Sequence, residues 1–285
     1  MILKHKLDGL TSKKLSRLHD APKELYYRGA NPNDLLSRPV VAIVGSRKMS
    51  PYGRAVTEML TNDLVRAGVV VISGLALGVD SAAHRAVVDA GGTTIAVLAG
   101  GLDIIYPNSH AGLAESIVQT GGTLLSEYPT GMPALKHTFI GRNRIIAALS
   151  DAVLIPEAAI NSGSLHTAAF ALDMGLPVLA VPGPITSQLS SGTNQLIKTG
   201  AMPVTNADDI FHALNLEKSV VQQSLLPAND QETSILEALK DGASDGMTLL
   251  TASGLRGTLF TQTLTMLEIN GRIRSLGGDM WALVN

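Results

Sequence analysis

Six short runs between residues 40 and 183 constrain the fold of this chain: "VVAIVG", "VVVISG", "TTIAVLAGG", "TLLSEY", "AVLIPEA" and "PVLAVPG". Each is apolar at consecutive rather than alternate positions. A strand with one wet face alternates with period two, so these runs read as strands buried on both faces, in a parallel sheet covered by helices. The segments between them have helical spacing: "YGRAVTEMLTNDLVRAG", "VDSAAHRAVVDAGG", a stretch near 109–120, "GRNRIIAALS" and "SLHTAAFALDMG". "NQLIKTG" and a short "MPVT" complete the series. This alternation predicts an α/β fold, a Rossmann-like, doubly wound, mostly parallel sheet over residues 38–214.

The rhythm is absent outside those limits. Residues 1–37 form a short lead segment. Residues 215–230, "NLEKSVVQQSLLPAND", read as a linker. Residues 231–285 hold three helical segments and then two short extended runs joined at Gly277 and Gly278, the order of a small winged-helix domain. With 45% hydrophobic and 16% charged residues, the chain has enough apolar surface for a sizeable core and is not a disordered polyelectrolyte. It has no cysteine, which excludes a disulfide framework, thiolate zinc sites and a cysteine nucleophile. "MILKHKLDGL" lacks the apolar core of a secretory signal, and runs such as "GVVVISGLALGV" are too short to span a bilayer. A cytoplasmic protein without membrane contact is expected.

Charge is unevenly spread. The net value is −2, yet residues 1–50 hold ten Lys/Arg against four Asp/Glu. Lys4, Lys6, Lys13, Lys14 and Arg17 are expected to decorate a solvated N-terminal helix. Residues 231–285 carry four Arg/Lys against six Asp/Glu. Duplex readers place positive charge on their recognition helix, so the tail is expected to contact protein rather than DNA.

Ligands of open α/β sheets lie beyond the carboxyl ends of the strands. Here those ends carry small polar turns: Gly45, Ser46 and Arg47 after the first strand, "SGLALG" after the second, "GGLD" after the third, and "INSGSLHTA" further on. Ser162, Gly163 and Ser164 run directly into a helix. They are either an anion cradle of free N–H groups or an ordinary helix cap. No G-x-G-x-x-G fingerprint follows the first strand, since "GSRKMSPYG" puts an arginine where a pyrophosphate would need bare backbone, and no G-x-x-x-x-G-K-[ST] loop occurs. Arg47 is placed to aim a planar, phosphate-matching fork into the crevice. The other reading is an ion pair with Glu127 or Glu157, and the two are compatible.

The segment "KHTFIGRNRIIAALS", residues 136–150, gathers Lys136, His137, Arg142 and Arg144 around Phe139. A helix starting at Gly141 would bury Ile145, Ile146, Ala148 and Leu149 and leave Arg142 and Asn143 in its first turn. Cations there disfavour the helix by a few tenths of a kcal/mol unless an anion joins them. A ring beside several phosphate donors is the recipe for an unpaired nucleic-acid strand. The plain alternatives are a core Phe139 and arginines paired with carboxylates.

Eight blocks in register, from "VVAIVGSRKMSPYG" through "FIGRNRIIAALSDAVLIPEA" and "NSGSLHTA" to "GTNQLIKTGA", closely resemble the DNA-processing protein A (DprA/Smf) family over roughly residues 39–205. The resemblance implies a homodimer that binds single-stranded DNA without sequence specificity, protects it during natural transformation and loads the RecA recombinase on it. It implies DNA contacts from Arg47, with Gly45 and Ser46 in its motif, from Lys136 and the stacking ring of Phe139, and from Ser162, Gly163 and Ser164. Asn161 precedes that turn. No cofactor, metal or catalytic residue is implied. Three departures stand out: the lead segment is too short for the helical domain many members carry there, Ile140 replaces a frequent proline, and His166 occupies an isoleucine position. A rival class is a Rossmann-like nucleotide-binding or nucleotide-hydrolysing enzyme related to lysine-decarboxylase-like proteins. "PGPITSQLSSGTN" lacks that class's motif spacing and its glutamate. Asp80 and His84, spaced i, i+4, read as a structural hydrogen-bonding pair rather than an acid–base pair.

Overall fold

A computed structural model of the chain describes residues 2–5, 8–216, 230–269 and 272–283. It divides into two compact units, residues 1–217 and 218–285. The linker reading falls mostly outside the described residues, which stop at 216 and resume at 230.

The first unit contains β1 (Leu3–His5), α1 (Gly9–Leu15), β2 (Leu25–Gly29), α2 (Pro32–Leu35), β3 (Val40–Ile43), α3 (Pro51–Arg66), β4 (Val70–Ser73), α4 (Val79–Asp89), β5 (Thr94–Val97), α5 (Ala111–Gln119), β6 (Thr123–Ser126), α6 (Lys136–Leu149), β7 (Ala152–Ile155), α7 (Ser164–Asp173), β8 (Val178–Ala180), α8 (Ser191–Lys198), β9 (Met202–Pro203) and α9 (Ala207–Ala213). Its strands form one nine-stranded sheet in the order β1-β2-β6-β5-β4-β3-β7-β8-β9. From β6 to β9 every pairing is parallel. The chain winds outward from β3 in one direction and resumes from β3 at β7 in the other. The switch point of this doubly wound sheet therefore lies between the ends of β3 and β7.

Burial explains the pattern. Every residue of β3, β4, β5, β6 and β7 is buried. Val40, Ala42 and Val44 face a cluster built with Ile145, Ile146 and Leu149, while Ala96 and Leu124 face a second cluster with Ala114 and Ile117. Both faces are thus covered, and each large aliphatic side chain taken from water stabilises the fold by about 1.5–3 kcal/mol.

The lead segment belongs to the same sheet. β1 pairs antiparallel with β2, and β2 with β6, so the break in sequence pattern near residue 38 is not a break in packing. Nor is Lys14 surface decoration, and Arg17, though exposed, is tied to the same helix end. Lys14 is buried; its Nζ donates to Leu149 O at 3.2 Å and pairs with Asp151 Oδ1 at 2.7 Å. Arg17 Nη1 donates to Ser150 O at 3.0 Å. Both cap the carbonyl end of α6, where the helix dipole is negative. Burial pulls the Lys14 ammonium below its usual range, with Asp151 opposing.

In the second unit, α10 (Asp230–Lys240), α11 (Gly246–Ser253) and α12 (Gly257–Ile269) precede an antiparallel hairpin of β10 (Ile273–Gly277) and β11 (Met280–Leu283). Ile235, Leu249, Phe260, Leu267 and Ile273 form its core. The Asp245 side chain caps α11 by accepting from Thr248 N at 2.9 Å. Among the described residues no helix is long and apolar enough to cross a membrane.

Candidate functional site

The loop after β3 is held on two sides. Ser46 N donates to Glu157 O at 2.8 Å, and Val79 N donates to Ser46 O at 3.1 Å. Glycine is required at the centre of this clamp: a Cβ on Gly45 would lie 2.6 Å from Glu157 O and from Val79 Cγ2. Gly78 adopts φ +81°, and a Cβ there would meet Ser46 O at 2.1 Å. The Ser46 hydroxyl serves its own turn, accepting from Lys48 N at 3.1 Å and donating to Lys48 O at 2.9 Å.

Arg47, next in the chain, is exposed. Its guanidinium carbon lies 5.0 Å from the centroid of the half-buried Phe139 ring, a cation–π contact. The carboxylates that rival readings would give it are engaged elsewhere. Glu157 accepts from Ser50 N at 2.8 Å and Ser50 Oγ at 2.5 Å, at the start of α3. Glu127 pairs with Arg144 Nη2 at 2.7 Å, and Arg144 Nε also reaches Asp20 Oδ2 at 3.1 Å. Arg144 is thus structural, tying the lead segment to α6.

α6 begins at Lys136, five residues before the sequence-based start. Thr138 Oγ1 accepts from Leu135 N at 2.9 Å to close that first turn. Lys136 and His137 are exposed at the helix mouth. The earlier start moves Arg142 out of the first turn and onto the apolar face with Ile145, Ile146 and Leu149. There it is 3% exposed. Its Nη1 donates to Gly74 O at 2.5 Å and also to Val97 O. Burial and, less strongly, the Arg47 charge bring its guanidinium down to about 10, against the pull of Asp80, so it remains a cation at neutral pH. Arg142 is a tie between the ends of β4 and β5, not an open phosphate donor.

The loop after β4 is pinned from further directions. Leu75 is fully buried at φ +57°, a strained backbone for a branched residue. His110 Nδ1 lies 2.8 Å from Leu75 O, and Gly74 N donates to Asp80 Oδ2 at 3.1 Å. Burial pushes the Asp80 carboxyl up, while Arg142 and backbone N–H groups at Ala76, Gly74 and Gly45 oppose it. Asp80 and His84 are not partners: His84 Nδ1 lies 2.8 Å from Thr94 Oγ1. Burial holds the His84 imidazole down to about 3, so it is neutral. Spacing alone put the two residues on one helix face; the sheet directs them to different neighbours.

After β7 the chain reaches Asn161, Ser162 and Gly163 and enters α7. Gly163 is the N-cap, with no side-chain cap bond. Ser162 Oγ and Ser164 Oγ lie 2.8 Å apart at the helix mouth, and Asn143 Nδ2 donates to Gly163 O at 3.2 Å. Ser162 Oγ also accepts from Ser164 N at 3.4 Å, so the turn keeps a serine cap-like bond at the mouth of α7.

All eleven candidates named from the sequence line one cavity of about 750 Å³ at the switch point. They are not equivalent there: Arg47, Lys136, Asn161 and Gly163 are exposed, whereas Arg142 and Ser46 support the walls. His166, in the isoleucine position, is exposed along the same cavity. The residue that sequence reasoning missed is Tyr106. It lines the cavity, is 56% exposed, and meets Phe139 at 5.5 Å between centroids with 66° between planes. Its only signal was an aromatic in the loop "GGLDIIYP" beyond a strand end. Among the described residues no group of three or more His, Asp or Glu is placed to hold a metal ion.

Fold and site together define a Rossmann-like α/β protein with a cationic, ring-lined crevice at its switch point. Residues 5–215 match the model of the family described as DNA recombination-mediator protein A, and the chain belongs to that family. A DprA-named protein of Mycobacterium tuberculosis is 38% identical over 258 residues, 88% of this chain and 66% of that protein. The chain thus spans just under two thirds of that relative's length. Among solved structures, the DNA processing protein A of Streptococcus pneumoniae is similar with 42% identity, a TM-score of 0.69 and 74% of each chain covered. That of Helicobacter pylori, whose structure concerns a single-stranded DNA binding mode, matches at 35% identity and TM-score 0.68 over 75% of this chain and 95% of its own.

Proposed function

We propose that the crevice binds single-stranded DNA through its backbone and stacked bases, without sequence preference. One observation carries this reading: Arg47 is exposed over an aromatic ring in a switch-point cavity, while Glu127 and Glu157, the carboxylates considered as its partners, are occupied by Arg144 and Ser50. Arg47 and Lys136 supply phosphate contacts, and Phe139 supplies a ring. The Ser162–Ser164 turn offers hydroxyls and the positive end of α7. Arg142 acts behind them by holding the strand-end loops.

Family membership supports the wider reading. The chain acts in the cytoplasm as a homodimer, protects incoming strands during transformation and recombination, and hands them to the RecA recombinase. It does so without turning over a substrate. The acidic second unit serves protein contacts, so Arg256→Ala and Arg274→Ala are expected to leave single-strand affinity within about twofold.

Fluorescence anisotropy with single-stranded and duplex oligonucleotides across several salt concentrations tests the site. Tight, salt-sensitive, sequence-tolerant binding of the single strand is expected; equal affinity for duplex would refute the reading. Assays with nucleoside monophosphates test the enzymatic alternative, for which no turnover is expected. Sedimentation of the full chain tests the dimer, and stimulation of RecA filament formation on coated single strands tests the handover.

A further inference from the structure

The two rings of the crevice are set at an angle, and the angle is built in. Tyr106 sits on the loop after β5, and Phe139 on the first turns of α6. The loops that carry them are tied together: Gly101 N donates to Met132 O at 2.8 Å, and Gly131 N donates to Asp103 Oδ1 at 3.0 Å. The Ser126 hydroxyl anchors the Tyr106 loop by donating to Gly100 O at 2.7 Å. The planes are inclined at 66°, Arg47 covers part of Phe139, and Tyr106 is the more open ring.

Stacked bases in a duplex lie parallel. Two platforms inclined this steeply cannot both receive bases from one continuous column. A strand that uses both must turn between neighbouring nucleotides, which a flexible single strand does readily and a duplex does only at the cost of unstacking or unpairing.

We propose that Tyr106 is a second base platform, and that with Phe139 it makes the crevice select a single strand kinked between two adjacent nucleotides. This rests on the single-strand reading above. Selection against duplex then comes from ring geometry, since Arg47 and Lys136 attract either form through phosphate charge.

Anisotropy with a short oligothymidine tests the platform. Tyr106→Ala is expected to weaken binding about 5- to 150-fold with the salt slope unchanged. Tyr106→Phe is expected to keep affinity within about threefold, because the ring face remains. A second measurement uses the wild-type chain and an oligonucleotide with two adjacent 2-aminopurines. Their exciton circular dichroism, present in the free strand, is expected to vanish on binding. Tyr106→Ala binding like wild type, or a retained exciton signal, would overturn the proposal while leaving the single-strand site intact. A wild-type chain that binds no single strand would overturn both.

Discussion

The two ends of the parallel sheet use the same basic residue types to opposite effect. At the carboxyl ends, where helix N-termini converge, Arg47 and Lys136 are exposed beside rings and hydroxyls. At the other end, where helices finish on bare carbonyls, cations are consumed. Lys14 and Arg17 cap α6, Arg38 meets Thr93 Oγ1, and Arg66 pairs with Asp63 at 3.1 Å. That end has a cavity too, about 520 Å³, lined by Arg38 and Arg66. Volume and arginines do not make a site. What distinguishes the crevice is that Arg47 and Lys136 stand exposed there, while the carboxylate in its lining, Asp80, is buried and bonded to backbone, an arrangement that an anionic ligand relieves.

Substitutions at the two ends sharpen this contrast, because structural cations stabilise the fold and open ones serve binding. Arg142→Met is expected to cost the most, about 3–5 kcal/mol in urea unfolding, because it removes the donor to two strand-end carbonyls and the charge that opposes burial of the Asp80 carboxyl. Behind the same loops, His84 gives an acid limb. Its folded value of about 3 lies below the ordinary 6.5, so the unfolded chain binds the extra proton between those pH values. Stability therefore falls with falling pH through that window, by about 1.4 kcal/mol per unit, and His84→Gln is expected to flatten the limb. Lys14→Met is expected to cost about 1–3 kcal/mol through the lost cap and pairing. Arg47→Ala is expected to leave stability within about 0.5 kcal/mol while weakening single-strand binding. Destabilisation by Arg47→Ala as large as that by Lys14→Met would erase the contrast.

Much of the sheet was legible because burial on both faces leaves its mark in consecutive β-branched residues. The turns were legible because close backbone approach at Gly45 and Gly78 admits only glycine. The antiparallel strands β1 and β2 were not, because neither carries such an apolar run. Arg142 was misplaced by a shifted helix start. Its spacing to Ile145, Ile146 and Leu149 is that of a buried stripe, but a cation on an apolar stripe is explained only by carbonyls from β4 and β5, which no local pattern reveals. Tyr106 was hidden for a similar reason: a loop aromatic gains meaning only when another element brings Phe139 beside it.

The grip of the open crevice cations on the phosphates of a single strand is read from the slope of log affinity against log salt. Arg47→Ala and Lys136→Ala are each expected to make the slope shallower by about 0.7, and the double variant by about 1.4. Slopes identical to wild type in all three would contradict that grip.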